Sequence, residues 1–160
     1  MNRTTPAHPQ DGAIWRPDVT VACIVPRHGK FLLVEEDVRG ERVLNQPAGH
    51  LEADESLPAA ALRETREETG WDVRLTHLVG IYQWANADGA FLRFTFAAEP
   101  LRHDPARTLD SGIVRTEWLT HAEIAASRNL RSPMVLRGVQ DFLSGQNVPL
   151  DCIACLLASP

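Results

Sequence analysis

Glu64, Glu67 and Glu68 crowd into one short stretch of the chain, GHLEADESLPAAALRETREETG, residues 49–70. On a helix, at 100° per residue, all three share one arc. Glu64 and Glu68 are then a like-charge i,i+4 pair with Glu67 beside both, which destabilises a helix by roughly 0.2–0.5 kcal/mol per pair. A hard divalent cation turns that repulsion into coordination. Mg2+ and Mn2+ take oxygen donors and keep waters while bridging to phosphate, so a few carboxylates on one helix suffice. The competing reading is a solvated helix face on which Arg63 and Glu67 make an ordinary i,i+4 surface pair. The wider spacing favours a site. Gly49, Glu55, Arg63, Glu64, Glu67, Glu68 and Gly70 occur in one register, a coincidence expected on the order of once in a million sequences from typical residue frequencies. Gly49 adds the absence of a side chain just before the loop, where its carbonyl could approach a cation.

These side chains need a helix and a platform. Ser56 can cap a helix, Pro58 is tolerated in its first turn, and Gly70 supplies a left-handed stop, so a helix is expected over about 57–69. Its packing side should carry Pro58, Ala61, Leu62, Thr65 and Thr69, with the three glutamates on the adjoining arc. Upstream, 19–25 and 31–34 are β-rich apolar runs around His28-Gly29 and read as a hairpin. Residues 42–44 re-enter the sheet and 45–49 leave it. Downstream, 71–79 and 80–84 read as strand, Asn86 to Gly89 as a turn, and 90–98 as an alternating strand with Leu92, Phe94 and Phe96 inward and Phe91, Arg93 and Thr95 outward. A strand over 112–119 follows. Thr120 and Glu123 then form a capping-box signature, and Ser132-Pro133 opens a last helix with Val135, Leu136, Val139, Phe142 and Leu143 as its apolar stripe.

Composition narrows the function classes. With 160 residues, 44% of them apolar, the chain suits one domain over 17–147, with a flexible tail at 1–16 and a C-terminal tail at 148–160. The formal charge of -5 offers no footprint for a nucleic-acid polymer. Fifteen of the sixteen basic residues are Arg, which supplies guanidinium forks for phosphate oxygens. No apolar run is long enough for a membrane span, and three cysteines are too few for a disulfide scaffold, which points to the cytoplasm. Cys152 and Cys155 form a lone C-x2-C without a second pair to complete a zinc site, and read as small apolar tail residues.

Gly49-x5-Glu55-x7-Arg63-Glu64-x2-Glu67-Glu68-x-Gly70 resembles the complete Nudix box. The phrases VTVACIV, GKFLLVEE, LNQPAGHLEADESL, FLRFTFA and NLRSP are also similar to bacterial Nudix phosphatases, extending the likeness from about residue 18 to 150. The resemblance implies an α/β fold, the Nudix α/β/α sandwich with a mixed sheet and the loop-helix. It also implies Mg2+- or Mn2+-dependent hydrolysis of a diphosphate linked to another moiety. Carried over by residue, Glu64, Glu67 and Glu68 are metal ligands, Gly49 offers its carbonyl, and Arg63 pairs with Glu55 to brace the loop. Ala48 replaces a glycine often found there, and Thr65 an aliphatic residue, so a buried Thr65 hydroxyl needs a partner. Glu67 or Glu68 is the first choice of general base, with Asp110, Glu52 or Asp54 as alternatives from outside the box.

Substrate contacts are read from the flanking elements. Arg93 could grip phosphate, Trp84 or Tyr82 could stack on a ring, and Asn45, Gln46, Asn129 and Arg131 lie near the box or the last helix. His50 follows the metal glycine; His103 and His121 have no evident partner. The expected activity is cleavage of nucleoside di- and triphosphates, with thiamine diphosphate or its pyrimidine diphosphate precursor as further substrates. Alternatives are a nucleotide-sugar or dinucleoside-polyphosphate pyrophosphatase and a non-catalytic nucleotide-binding module. The partner is a small phosphorylated molecule, with no membrane, and the protein a monomer or homodimer.

Overall fold

Val21 and Cys23 alternate with Ala22 and Ile24 along the first strand, and all four are buried, as is Val25 just beyond it. A strand apolar on both faces must lie between two layers. The computed structural model, which describes residues 14–87 and 89–157, places it there. β1 (Asp18–Ile24) pairs antiparallel with β5 (Ala48–His50) and parallel with β7 (Gly89–His103), and β7 pairs antiparallel with β6 (Trp71–Asn86), giving a mixed sheet of order β5-β1-β7-β6. A second, antiparallel sheet joins β2 (Pro26–Arg27), β3 (Lys30–Val38) and β4 (Glu41–Asn45), with β8 (Ile113–Thr120) on the other side of β3.

Helix α1 (Leu57–Thr69) covers one face, where Ala60 and Ala61 meet Val21, Cys23, Leu32 and Phe96. Helix α3 (Pro133–Leu143) covers the other, with Val135 and Val139 against Ile24, Leu33, Val79 and Ala97; Ile124 of the short α2 (His121–Ala126) joins them. Burying each large aliphatic side chain stabilises the fold by about 1.5–3 kcal/mol. The arrangement is an α/β/α sandwich with a mixed sheet, as the resemblance implied. No helix among the described residues is long and apolar enough to cross a membrane.

Three expectations need correction. The hairpin between 19–25 and 31–34 exists only at its tip, where Pro26–Arg27 pair with Lys30–Phe31 and Leu32 N–H donates to Val25 O. The body of β1 pairs elsewhere, because neighbours on both edges satisfy more backbone groups than one hairpin can. Residues 48–50 do not leave the sheet; they form β5 against β1. On α1, Leu62 points outward at 39% exposure while Glu64 and Glu68 are buried beside Thr65 and Thr69. The packing arc is rotated toward the carboxylates.

Most of the 1–16 tail lies outside the described residues. At the other end, packing continues past residue 147: Val148 and Leu78 exchange backbone hydrogen bonds, and Leu150 and Ile153 rest on the α1-side core. Cys152 and Cys155 are exposed, free thiols.

Candidate active site

The local signals that start and stop α1 also aim its carboxylates. Ser56 Oγ accepts from Ala59 N–H, and Gly70, at φ 71°, returns its N–H to Arg66 O. Thr65, buried, donates to Ala61 O at 2.8 Å, which supplies the partner its hydroxyl required. With both ends fixed, Glu68 reaches β5 and accepts from Ala48 N–H at 2.8 Å. Glu64 lies against Gly49 so closely that a Cβ there would stand 2.1 Å from the Glu64 carboxyl carbon. No residue but glycine fits opposite an unmoved Glu64.

Arg63 braces the loop to the helix, as the family motif implied. Its Nε and Nη2 donate to the two Glu55 oxygens at 3.0 and 2.6 Å, its Nη1 to Glu64 at 2.8 Å and Glu67 at 3.1 Å, and its Nη2 also to His50 O at 3.1 Å. Glu55 further accepts from Glu52 N–H. The Arg63 guanidinium holds the Glu55 carboxyl below the usual carboxylate range. Burial instead raises Glu64, with Arg63 opposing the shift. Glu68 is pushed up to about 9, chiefly by burial, with Glu36, Glu64 and Asp110 adding like charge. Among the described residues no Arg or Lys forms a salt bridge with Glu68, although the Arg93 charge couples to it.

Glu68 lines a cleft of about 270 Å³. Gly49, Asn45, Arg93, Trp84 and Arg131 line it too, so the structure brings these predicted residues together. Arg93 is only 6% exposed; its Nη1 donates to Asn45 Oδ1 at 3.3 Å, and its Nε has no partner. Burial lowers its pKa to about 10, while Glu36 and Glu68 oppose the fall. The face of β7 assigned outward is therefore covered, and Arg93 and Thr95 are buried. Trp84 stacks on Phe91 at 5.7 Å between centroids.

Other predicted residues fall elsewhere. Gln46, the residue after β4, donates to Val135 O at 2.7 Å and ties that connection to α3; Asn129 donates to Arg42 O; Tyr82 donates to Asp141 at 2.9 Å. His103 stacks on Trp71, and His121 is away from the cleft. His50 lines the cleft as an exposed side chain, and Asp110 N–H donates to Glu67 O. Glu52 and Asp54 are exposed in the loop. Glu67 lies apart from the cleft, beside Arg63 and Arg66.

Two site residues escaped sequence reasoning. Glu36, on β3, accepts from Asn45 Nδ2 at 2.8 Å and stands 3.8 Å from Arg131 Nε. A half-buried acidic side chain two residues beyond the apolar run 31–34 of β3 was the available signal. Ser132 carries the N-cap position of α3, but its side chain makes no cap bond and its Oγ is buried without a partner.

Among the described residues, no three Asp, Glu, His or Cys side chains are arranged to hold a metal as they stand. The donor chemistry nevertheless fits a hard divalent cation. Glu64 and Glu68 are buried oxygen donors, Glu68 accepts only one backbone N–H, and Gly49 keeps the space before Glu64 clear.

The Nudix domain model matches residues 15–137. Phosphatase NudJ of Escherichia coli (strain K12) is 46% identical over 141 residues, covering 88% of this chain and 92% of that protein. Phosphatase NudJ of Shigella flexneri matches to the same extent. Among solved structures, a NUDIX hydrolase from Nitrosomonas europaea superposes with a TM-score of 0.87 at 43% identity, covering 90% of this chain and all of that one. The match runs through both sheets, the braced loop and α1, and on that ground the chain belongs to the Nudix family: it is a Nudix hydrolase, similar to Phosphatase NudJ.

Proposed function

We propose that the protein is a divalent-metal-dependent phosphohydrolase that cleaves nucleoside di- and triphosphates, and also thiamine diphosphate or its pyrimidine diphosphate precursor. The carrying observation is the pairing across one cleft of a buried Glu68, which forms no salt bridge among the described residues, with a buried Arg93 whose Nε has no partner. One end wants a cation and the other wants an anion. A divalent cation held by the carboxylates, with a phosphate against Arg93, would satisfy both.

Glu64, Glu67 and Glu68 with the Gly49 carbonyl would hold Mg2+ or Mn2+. When bound, the ion supplies positive charge to the phosphoryl oxygens and acidity to a water. The chain's own residues do the rest. Arg93 donates to phosphoryl oxygens, and Trp84, already paired with Phe91, offers a ring face to the organic moiety. Asn45 fixes Arg93 from behind, and Arg131 faces the same cleft. Water oxygen bonds to phosphorus, the anhydride P–O bond breaks with its electron pair on the leaving phosphate, and a carboxylate takes the water's proton. Glu68 suits that role better than Glu67, since Glu68 lines the cleft and Glu67 does not. Arg63 and Glu55 keep the loop in place.

Three free cysteines among the described residues fit a reducing compartment, and we place the protein in the cytoplasm as a monomer or homodimer. The test is a panel of nucleoside di- and triphosphates, thiamine diphosphate and nucleotide sugars with Mg2+ or Mn2+, scoring phosphate and pyrophosphate separately. Release of phosphate and a nucleoside monophosphate from a diphosphate is expected. A folded sample that releases neither product from any compound refutes the proposal, and AMP with a sugar phosphate as the main products would replace it with internal pyrophosphate cleavage.

A further inference from the structure

A second groove adjoins the cleft. Trp84, Asn86, Arg131 and Ser132 line both, so the two hollows share a wall. Beyond that wall the charge changes sign: the groove presents Arg128, Arg131 and Arg137, and no Asp or Glu is among its lining residues. Arg137 is engaged by Asp141, with Nε 2.9 Å from each carboxylate oxygen. Arg131 makes only a 3.8 Å approach to Glu36, and exposed Arg128 has no hydrogen bond or ion pair among the described residues.

The groove also meets the N-terminus of α3, an 11-residue helix whose first-turn N–H groups favour an anion. At that end stands Ser132, 5% exposed, its hydroxyl turned away from the cap bond an N-cap serine ordinarily makes and left without any partner. A buried hydroxyl and an unpaired guanidinium beside a helix N-terminus both lack the same kind of ligand.

We propose that this groove is a second anion subsite, in which Arg128, Arg131 and Ser132 receive a phosphate monoester carried by the substrate at a distance from the anhydride that is cleaved. The inference rests on the phosphohydrolase reading, with the cleaved diphosphate on the Glu68 side of Trp84 and the remote phosphate on the Arg128 side. It makes the protein prefer nucleotides bearing an additional phosphate on the sugar.

The test compares ADP with 3′-phosphoadenosine 5′-diphosphate under Mg2+. The extra phosphate is expected to raise kcat/KM about tenfold through KM, the worth of one charge-assisted hydrogen bond. Arg128→Ala is expected to erase that advantage and leave ADP turnover unchanged. Equal kcat/KM for the two compounds, or an advantage that survives in Arg128→Ala, overturns the subsite. Binding separates this result from failure of the hydrolase reading. In chelator, adenosine 3′,5′-bisphosphate is expected to bind wild-type protein at least about fivefold tighter than AMP, and Arg128→Ala to bind the two alike. Equal wild-type affinities refute the subsite whatever is hydrolysed.

Discussion

The two ends of the cleft are built in different ways. The carboxylate end comes almost entirely from residues 49–70: one loop, one helix, and Arg63 tying Glu55, Glu64 and Glu67 together. The opposite wall is assembled from Glu36 on β3, Asn45 on β4, Trp84 on β6, Arg93 on β7 and Arg131 before α3. On the proposed function, the contiguous stretch with fixed spacing would serve the reaction, since the charges it presents must hold one geometry. A wall drawn from five places can change one position at a time, which suits the selection of a substrate. Substitutions at the first end should therefore change rate for every substrate, and those at the second should change affinity or rank.

The largest effect is expected from Glu68→Gln, which should lower kcat by at least about two orders of magnitude for all substrates alike by removing an anionic ligand or the base. The amide oxygen can still accept from Ala48 N–H, so the circular dichroism spectrum should be unchanged. A variant that keeps wild-type kcat would end the assignment of this region to chemistry.

Arg93→Lys comes next. Losing the planar fork should reduce kcat/KM by about 10- to 100-fold, mostly in KM, for any diphosphate. An equal fall in kcat with KM unchanged would blur the division between the two ends.

Metal loading probes the carboxylate end without turnover. At a hundredfold excess over Kd, Mg2+ should stabilise the protein by about 2.7 kcal/mol, which for a chain of this size raises Tm by about 5–10 °C. Differential scanning fluorimetry should show that rise in wild type and little of it in Glu68→Gln. The same shift in both would place the ion elsewhere.

Trp84→Leu should redistribute kcat/KM among substrates by about tenfold or less, consistent with loss of a stacking contact. Uniform loss across the panel would assign the indole to support of the fold. Smallest in activity is Ser56→Ala. It should cost about 1 kcal/mol of stability, seen in denaturant melts, and leave KM unchanged.

The same division explains what could be read from the sequence. Helix α1 was legible to the residue because Ser56 and Gly70 act locally. The capping box at Thr120 and Glu123 and the Asn86-to-Gly89 turn were legible for the same reason. The partners of β1 were not, since β7 lies some seventy residues on and a local apolar run cannot say which strand it will meet. Gln46 looked like a substrate group and proves to fasten the connection after β4 to α3. Leu62 and Glu64 exchanged their expected places because the apolar arc of α1 was inferred from hydropathy, whereas the helix is rotated to bring carboxylates under β5. The Ala48–Glu68 hydrogen bond and the close seat of Glu64 on Gly49 set which face of the helix is buried, against the pattern used to predict packing. Glu36 and Ser132 carried no spacing signal; contacts with Asn45 and Arg131 mark the first, and burial with a missing partner marks the second.

Arg63 has a kinetic consequence. A guanidinium that already grips Glu55, Glu64, Glu67 and the His50 carbonyl keeps the acidic arc gathered before any ion arrives. Loading would then require side-chain adjustment but no ordering of the loop, and its speed should follow how fast each cation sheds water. Mn2+ should enter faster than the more reluctantly dehydrated Mg2+, a difference that stopped-flow fluorescence from the four tryptophans can time. In Arg63→Ala the loop would have to be recruited with the ion, and both metals should slow toward one common rate.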